Sequence, residues 1–232
     1  MDKKKAIRVL KHLKRTFEKH NIEYWLDYGT LLGAVREGKF ISWDKDIDIS
    51  VWYKDAAKIS YARKFFNESN IEFEIYWTGS HYGVRDAKTK EHYICLLFTV
   101  IYGDYCFNGY TVAPMRNIIQ MLTTSKMFKD MPYETKEKLI GFSWAIVNRF
   151  HLYRPGGLRC SPRRHVEKLS TISFYDEEFK IPSDVETYLV WLYGDNWQIP
   201  DKNGRPYKRF PSDMYSPLKR LAMKLSIKKK TR

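Results

Sequence analysis

An α/β (α+β) fold is predicted: a mixed sheet flanked by helices, followed by a mainly helical C-terminal half. Three observations predict it. Segments of period-two alternation and segments of helical period share the first 114 residues. Turn residues separate them, among them Gly29, Gly38, Gly79 and Asn108-Gly109. After Pro114 the texture changes to longer apolar stretches of helical spacing.

Taken in order, Ala6, Ile7, Leu10, Leu13 and Phe17 recur at helical spacing between lysines, and Asn21 ends that helix. Residues 24–28 form a short strand running into Gly29, 31–35 a helical turn, and Gly38 reverses the chain. In 46–51, Ile47, Ile49 and Val51 point one way while Asp46, Asp48 and Ser50 point the other, a half-buried strand with an acidic face. Residues 55–66 make a helix with Ile59, Ala62 and Phe66 inward. Strands follow at 71–76, 81–85 and 92–102, then a strand pair over 105–112 turned at Asn108-Gly109. Helices are expected over 116–127, 136–150 and 182–193, the last ended by Gly194. The whole reads as one domain over 1–232, with an α/β core to 114, a helical part over 115–200 and a basic tail from 201.

An apolar fraction of 44% with 16% aromatics argues against a disordered chain. The formal net charge of +14 suits a polyanionic partner: nucleic acid, an anionic membrane surface or phosphorylated ligands. A simply basic protein would carry the same charge. Three cysteines, Cys95, Cys106 and Cys160, with no Cys-x-x-Cys pair, argue against a disulfide framework or a structural zinc site and for a reducing compartment. The N-terminus has no apolar signal-peptide core, and no apolar run is long enough to span a bilayer. The expected location is cytoplasmic, or peripheral on the cytosolic face of a membrane.

Asp46 and Asp48, two apart on a strand, share a face with Cα atoms roughly 7 Å apart. Two such carboxylates repel unless a cation lies between them, and Mg²⁺ is held by one or two carboxylates plus phosphates and water. A solvated strand face is the other reading of a bare Asp-x-Asp. Asp44 could add a third oxygen or orient the pair. Just upstream, Gly29 allows close backbone approach to a phosphate, and Thr30 offers a hydroxyl and an N–H at a helix start. Arg36 lies about two helical turns on and can supply a planar cation. Alone, a Gly-Thr turn is also an ordinary strand-to-helix connector.

The run Asp27-Tyr28-Gly29-Thr30-Leu31-Leu32-Gly33-Ala34-Val35-Arg36, followed by Trp43-Asp44-Lys45-Asp46-Ile47-Asp48, resembles the signature of the LicD/fukutin family, of the nucleotidyltransferase-fold superfamily. It departs from that signature only at Lys45 within the acidic run. A second block, with Ile181-Pro182, Tyr188-Leu189, Tyr193-Gly194-Asp195 and Trp197, resembles the family's C-terminal element. The stretch 115–164 shows no such resemblance.

The resemblance implies transfer of a phosphoalcohol, phosphocholine or ribitol or glycerol phosphate, from a CDP-activated donor to a hydroxyl of a cell-surface glycan or its lipid-linked precursor. It implies Mg²⁺, with Mn²⁺ as the alternative, on Asp46 and Asp48 with Asp44 beside them. Gly29, Thr30, Gly33 and Arg36 would bind the donor. Arg85, near the expected site, could join them or form a surface ion pair. The family's third carboxylate is missing from the corresponding strand, residues 93–100; Glu72, Glu74, Asp86 and Asp104 are the substitutes to consider. His81 and His92 are candidate bases if they face the cleft. Arg159, Arg163, Arg164 and His165 form a basic cluster that could bind an anion or be a solvated loop.

The tail shares Leu218, Leu221, Ala222 and Leu225 on one face and lysines on the other, which suits a helix on an anionic bilayer or a solvated basic tail. Nucleic acid is not the expected partner under this resemblance. Two other functions stay open: nucleotidyl transfer to a small molecule or RNA, and a catalytically degenerate member that binds nucleotide or glycan.

Overall fold

The computed structural model describes residues 1–69, 72–77, 82–102, 104–108, 131–132, 135 and 159–203. The first helix, α1 (Lys3–Lys19), is capped by Asp2, whose carboxylate accepts from the Lys5 N–H at 3.1 Å. Its buried stripe is Ala6, Val9, Leu10, Leu13 and Phe17. Asn21 follows at φ 52°, the left-handed conformation that asparagine tolerates at a helix end. Strand β1 (Tyr24–Leu26) leads into α2 (Tyr28–Glu37), which stops at Gly38 with φ 62°. Then come β2 (Ile47–Trp52), a 3₁₀ turn (Tyr53–Asp55), α3 (Ala56–Ser69), β3 (Phe73–Trp77), β4 (Tyr82–Asp86), β5 (His92–Tyr102) and β6 (Tyr105–Asn108). The C-terminal part contributes β7 (Arg159–Pro162), a 3₁₀ turn (Arg163–His165), β8 (Leu169–Phe174), β9 (Glu177–Pro182) and α4 (Val185–Tyr193).

The main sheet has strand order β1-β2-β5-β4-β3 and is mixed: β2 and β5 run parallel, and the other pairs are antiparallel. β6 extends it from the far end of β5, and β7 follows β6. The parallel β2/β5 pair needs a crossover, which α3 and the β3–β4 hairpin supply. Ile47, Ile49, Ile75, Val84, Ile94 and Leu96 are buried at zero exposure, as are Ile59, Ala62 and Phe66 of α3. Each such Ile, Leu, Val or Phe side chain contributes roughly 1.5–3 kcal/mol of transfer free energy, so this layer anchors the fold.

Of the strand pair expected over 105–112, residues 105–108 form β6, which pairs with β5 on one edge and β7 on the other; the turn after Asn108 and the second strand lie outside the described residues. The C-terminal half is not mainly helical where it is described: 159–203 holds three strands and one helix. β8 and β9 form a two-residue hairpin whose loop, Tyr175-Asp176, lies at φ 51° and 64°. Both residues left-handed is the type I′ turn that suits strand twist, but it is normally written with Asn or Gly. The helix expected over 182–193 starts at Val185, because Pro182 is the last residue of β9. The helices expected at 116–127 and 136–150, and the tail from 204, lie outside the described residues.

Candidate active site

The site begins at the β1–α2 junction. Asp27 is fully buried and caps α2, accepting from the Tyr28 N–H at 2.8 Å. Its other partners come from across the chain. Ser50 Oγ donates to Oδ2 at 2.5 Å, Tyr188 Oη donates to Oδ1 at 2.8 Å, and Asn108 Nδ2 lies 3.4 Å from Oδ2. The Tyr28 hydroxyl donates to Asn108 Oδ1. A buried carboxylate is tolerable only with such a complete set of donors. The Tyr188 hydroxyl is pushed well above its usual range, first by burial and then by the Asp27 charge.

Thr30, one turn further on, accepts the Asp48 N–H through Oγ1 at 2.9 Å. This bond ties the start of α2 to the acidic end of β2. The Asp44 carboxylate lies directly over Gly29: a Cβ there would collide with Asp44 Oδ2. Gly29 thus leaves room for a carboxylate against the first turn of α2, where the helix dipole favours negative charge. Gly33 meets a different neighbour, with a Cβ placed 2.6 Å from the Lys39 carbonyl oxygen, so it lets the 39–41 segment pack on α2.

Asp46 stands just before β2 and Asp48 within it; both are half-buried, as is Asp44. Asp44 and Asp46 lie close enough to interact. Burial pushes the Asp44 carboxyl above its ordinary value, the Asp46 charge pushes it further, and the Lys45 N–H only partly offsets them. Asp44 and Asp46 are hard oxygen donors that interact with one another, the ligand type a Mg²⁺-class ion takes.

The parallel register pairs Asp48 with Cys95 on β5, so the strand without an acid is indeed the neighbour of the acidic strand. Around Cys95 the sheet is irregular. Val84 pairs with Ile94 but Arg85 with His92, leaving one extra residue, Tyr93, on β5. That bulge reverses the alternation and puts His92 on the same face as Cys95. His92 Nε2 lies 3.1 Å from Cys95 Sγ, His92 Nδ1 3.0 Å from Tyr76 Oη, and Cys95 Sγ 3.4 Å from Asp46 Oδ2. Burial lowers the His92 pKa, and Asp46 pulls the other way. His81 lies outside the described residues.

The acidic substitutes for the missing carboxylate are engaged elsewhere. Glu74 binds Arg85 and Lys90, each at 2.7 Å, and Glu72 binds Arg8 at 2.5 Å. The Lys5 ammonium and the N–H groups of Thr89 and Lys88 hold the Asp86 carboxyl well below the usual range. Asp104 is exposed. Arg85 also stacks on Tyr76 at 4.1 Å from the ring centre. The Arg36 side chain is 8% exposed and binds Glu37 at 2.6 Å, with Nη1 3.4 Å from the Trp197 carbonyl oxygen. It therefore joins α2 to the segment after α4. The basic cluster at 163–165 divides: Arg163 pairs with Glu167 at 3.0 Å, while His165 is buried against Tyr188 and Trp191.

The Asp27 network and the His92–Cys95 meeting were not legible in the sequence as constellations. Only Asp27 carried a signal, as an aspartate at the N-cap of the Gly-Thr helix.

Residues 21–118 match the family model described as LicD/FKTN/FKRP, nucleotidyltransferase domain. An uncharacterized protein of Rickettsia typhi is 43% identical over 58 residues, which is 24% of this chain and 19% of that one. The ribitol 5-phosphate transferase FKRP of Homo sapiens is 34% identical over 62 residues, 25% of this chain and 12% of the relative. This chain thus spans about a fifth or less of the length of these relatives. Among solved structures, ANT(2")-Ia in complex with adenylyl-2"-tobramycin aligns over 64% of this chain and 94% of that one, at 10% identity and a TM-score of 0.31. No helix among the described residues is long and apolar enough to cross a membrane.

Proposed function

Because residues 21–118 belong to the LicD/FKTN/FKRP nucleotidyltransferase family, we propose that this protein is a phosphoalcohol transferase. It moves phosphocholine, ribitol phosphate or glycerol phosphate from a CDP-activated donor to a hydroxyl of a glycan or its lipid-linked precursor. The observation that carries the reading is the placement of Asp48 and Asp46 beside the Gly29-Thr30 turn, fixed by the Thr30 Oγ1 bond to the Asp48 N–H.

Asp46 and Asp48 would hold Mg²⁺, with Asp44 as a third oxygen; Mn²⁺ has the same ligand preference. Bound there, the ion neutralises the donor pyrophosphate. The protein's own part is positioning and charge stabilisation. Gly29 and Thr30 shape the start of α2, and Gly33 and Arg36 hold the segments packed on it. Arg85, braced by Glu74 and Tyr76, offers a planar cation to the phosphates. The acceptor oxygen bonds to the alcohol-bearing phosphorus, the bridging P–O bond breaks, and CMP leaves. A peripheral membrane contact through the basic tail would bring the enzyme to lipid-linked acceptors.

The test is release of CMP from CDP-choline, CDP-ribitol and CDP-glycerol with Mg²⁺ and a glycan acceptor, by wild type and Asp48→Asn. A fall of roughly a hundredfold or more is expected in the variant, the scale of losing a principal electrostatic group. Equal turnover would remove the assigned role of Asp48. Cys95 opposite Asp48 favours a second reading, a binder without turnover. Tight CDP-alcohol binding with no CMP release under any metal would select it.

A further inference from the structure

One ligating atom from each of Asp46, His92 and Cys95 lies within 4.8 Å of the other two, and among the described residues they form a mixed set of metal ligands. We propose that these three side chains bind a transition-metal dication of the zinc class, at a site that shares Asp46 with the hard-ion pair but differs from it in ligand chemistry. This goes beyond the function proposed above and does not depend on it.

The distances suit such an ion. Zn–S bonds of about 2.3 Å and Zn–N bonds of about 2.0 Å give tetrahedral ligand-to-ligand edges near 3.5 Å. The N···S and S···O separations here are 3.1 and 3.4 Å and the third edge lies within 4.8 Å, so two of the three edges are already close to that length. One thiolate, one imidazole and one carboxylate select a borderline-soft ion over Mg²⁺, which prefers an all-oxygen shell. Three protein ligands leave a fourth position for an exogenous oxygen, the pattern of an open zinc site. All three residues are half-buried, which leaves the ion a path.

The surroundings are arranged around the imidazole. The β5 bulge turns His92 onto the Cys95 face. Gly83 lies beneath the ring, where a Cβ would stand 2.7 Å from His92 Cε1. With Nε2 on the metal, Nδ1 carries the proton and donates to Tyr76 Oη at 3.0 Å. That is the outer-shell bond that fixes a metal-binding histidine's tautomer. The Arg85 guanidinium stacked on Tyr76 holds the tyrosine in turn.

The test is titration of the metal-stripped full chain with Co²⁺. Near-ultraviolet thiolate-to-cobalt charge-transfer absorption is expected, displaced by Zn²⁺ but not by excess Mg²⁺. Cys95→Ser should abolish it, Tyr76→Phe should weaken cobalt binding about 10- to 100-fold, and His92→Gln, which removes a ligand, should weaken it further. Asp48→Asn should retain it even where CMP release is lost, which separates this site from the hard-ion pair. Absence of the band in wild type, or its survival in Cys95→Ser, overturns the proposal. If circular dichroism shows Cys95→Ser unfolded, X-ray absorption of the cobalt-loaded wild type decides: a sulfur and an imidazole in the shell sustain the site, and an all-oxygen shell rejects it.

Discussion

Tyr188 Oη donates a 2.8 Å hydrogen bond to Asp27 Oδ1, joining residues 161 positions apart in a fully buried contact. The bond connects the C-terminal motif to the N-cap of α2. The helix that carries the Gly29-Thr30 turn is fastened at Asp27 by Tyr188 and at Arg36 by the Trp197 carbonyl.

Tyr188→Phe keeps the ring and removes one donor from a buried carboxylate. Hydrogen bonds to charged groups contribute about 1.5–3 kcal/mol, so urea denaturation should show a loss of that order. An unchanged midpoint would mean that Ser50 and Asn108 satisfy Asp27 without it.

Gly29→Ala separates site geometry from stability. Alanine is favoured over glycine within a helix by roughly 1 kcal/mol, which opposes a fall in Tm. Its Cβ nevertheless collides with the Asp44 carboxylate. Weaker Mg²⁺ or Mn²⁺ binding at little change in Tm is expected, read by calorimetry and thermal melts. Unchanged metal affinity would detach Asp44 from the site.

Gly33→Ala should behave in the opposite way. Its Cβ meets a backbone carbonyl, that of Lys39, at 2.6 Å, and backbone cannot swing aside. Overpacking of this kind costs typically 1–3 kcal/mol. The expected result is a lower denaturation midpoint; a wild-type midpoint would show that the 39–41 segment moves freely.

Asp44 sets a pH dependence with a definite sign. Its carboxyl is raised above the ordinary 3.8 by burial and by Asp46, so the metal-free fold favours its protonated form. That contribution to stability is complete below 3.8 and is lost as pH rises through the raised value. A bound cation offsets the loss. The increase in Tm given by Mg²⁺ should therefore grow as pH rises from 3.8 through the raised value, and in Asp44→Asn the growth should shift to lower pH. The same profile in both proteins would assign the effect to Asp46 or Asp48.

The local elements were readable because each is written in short-range periodicity. The α1 stripe, the Ile59/Ala62/Phe66 face of α3, the Gly38 stop and the alternation at Asp46–Asp48 depend on neighbours within a few residues. The β8–β9 hairpin was not readable, because a Tyr-Asp loop lacks the Asn or Gly that advertises two left-handed residues. Tertiary packing holds it instead: the Tyr175 hydroxyl accepts from the Phe40 N–H at 2.8 Å and its ring packs on Phe40 and Phe174.

By itself the sequence determined the acidic face of β2, the glycine turn before it and the absence of an acid on the strand opposite. The tertiary structure alone decided what stands in that acid's place. One extra residue in β5 reverses the side-chain alternation and turns His92 toward Cys95 and Asp46. Such a bulge is defined by strand pairing, between positions distant in the chain, and a period-two pattern read along one strand does not contain it.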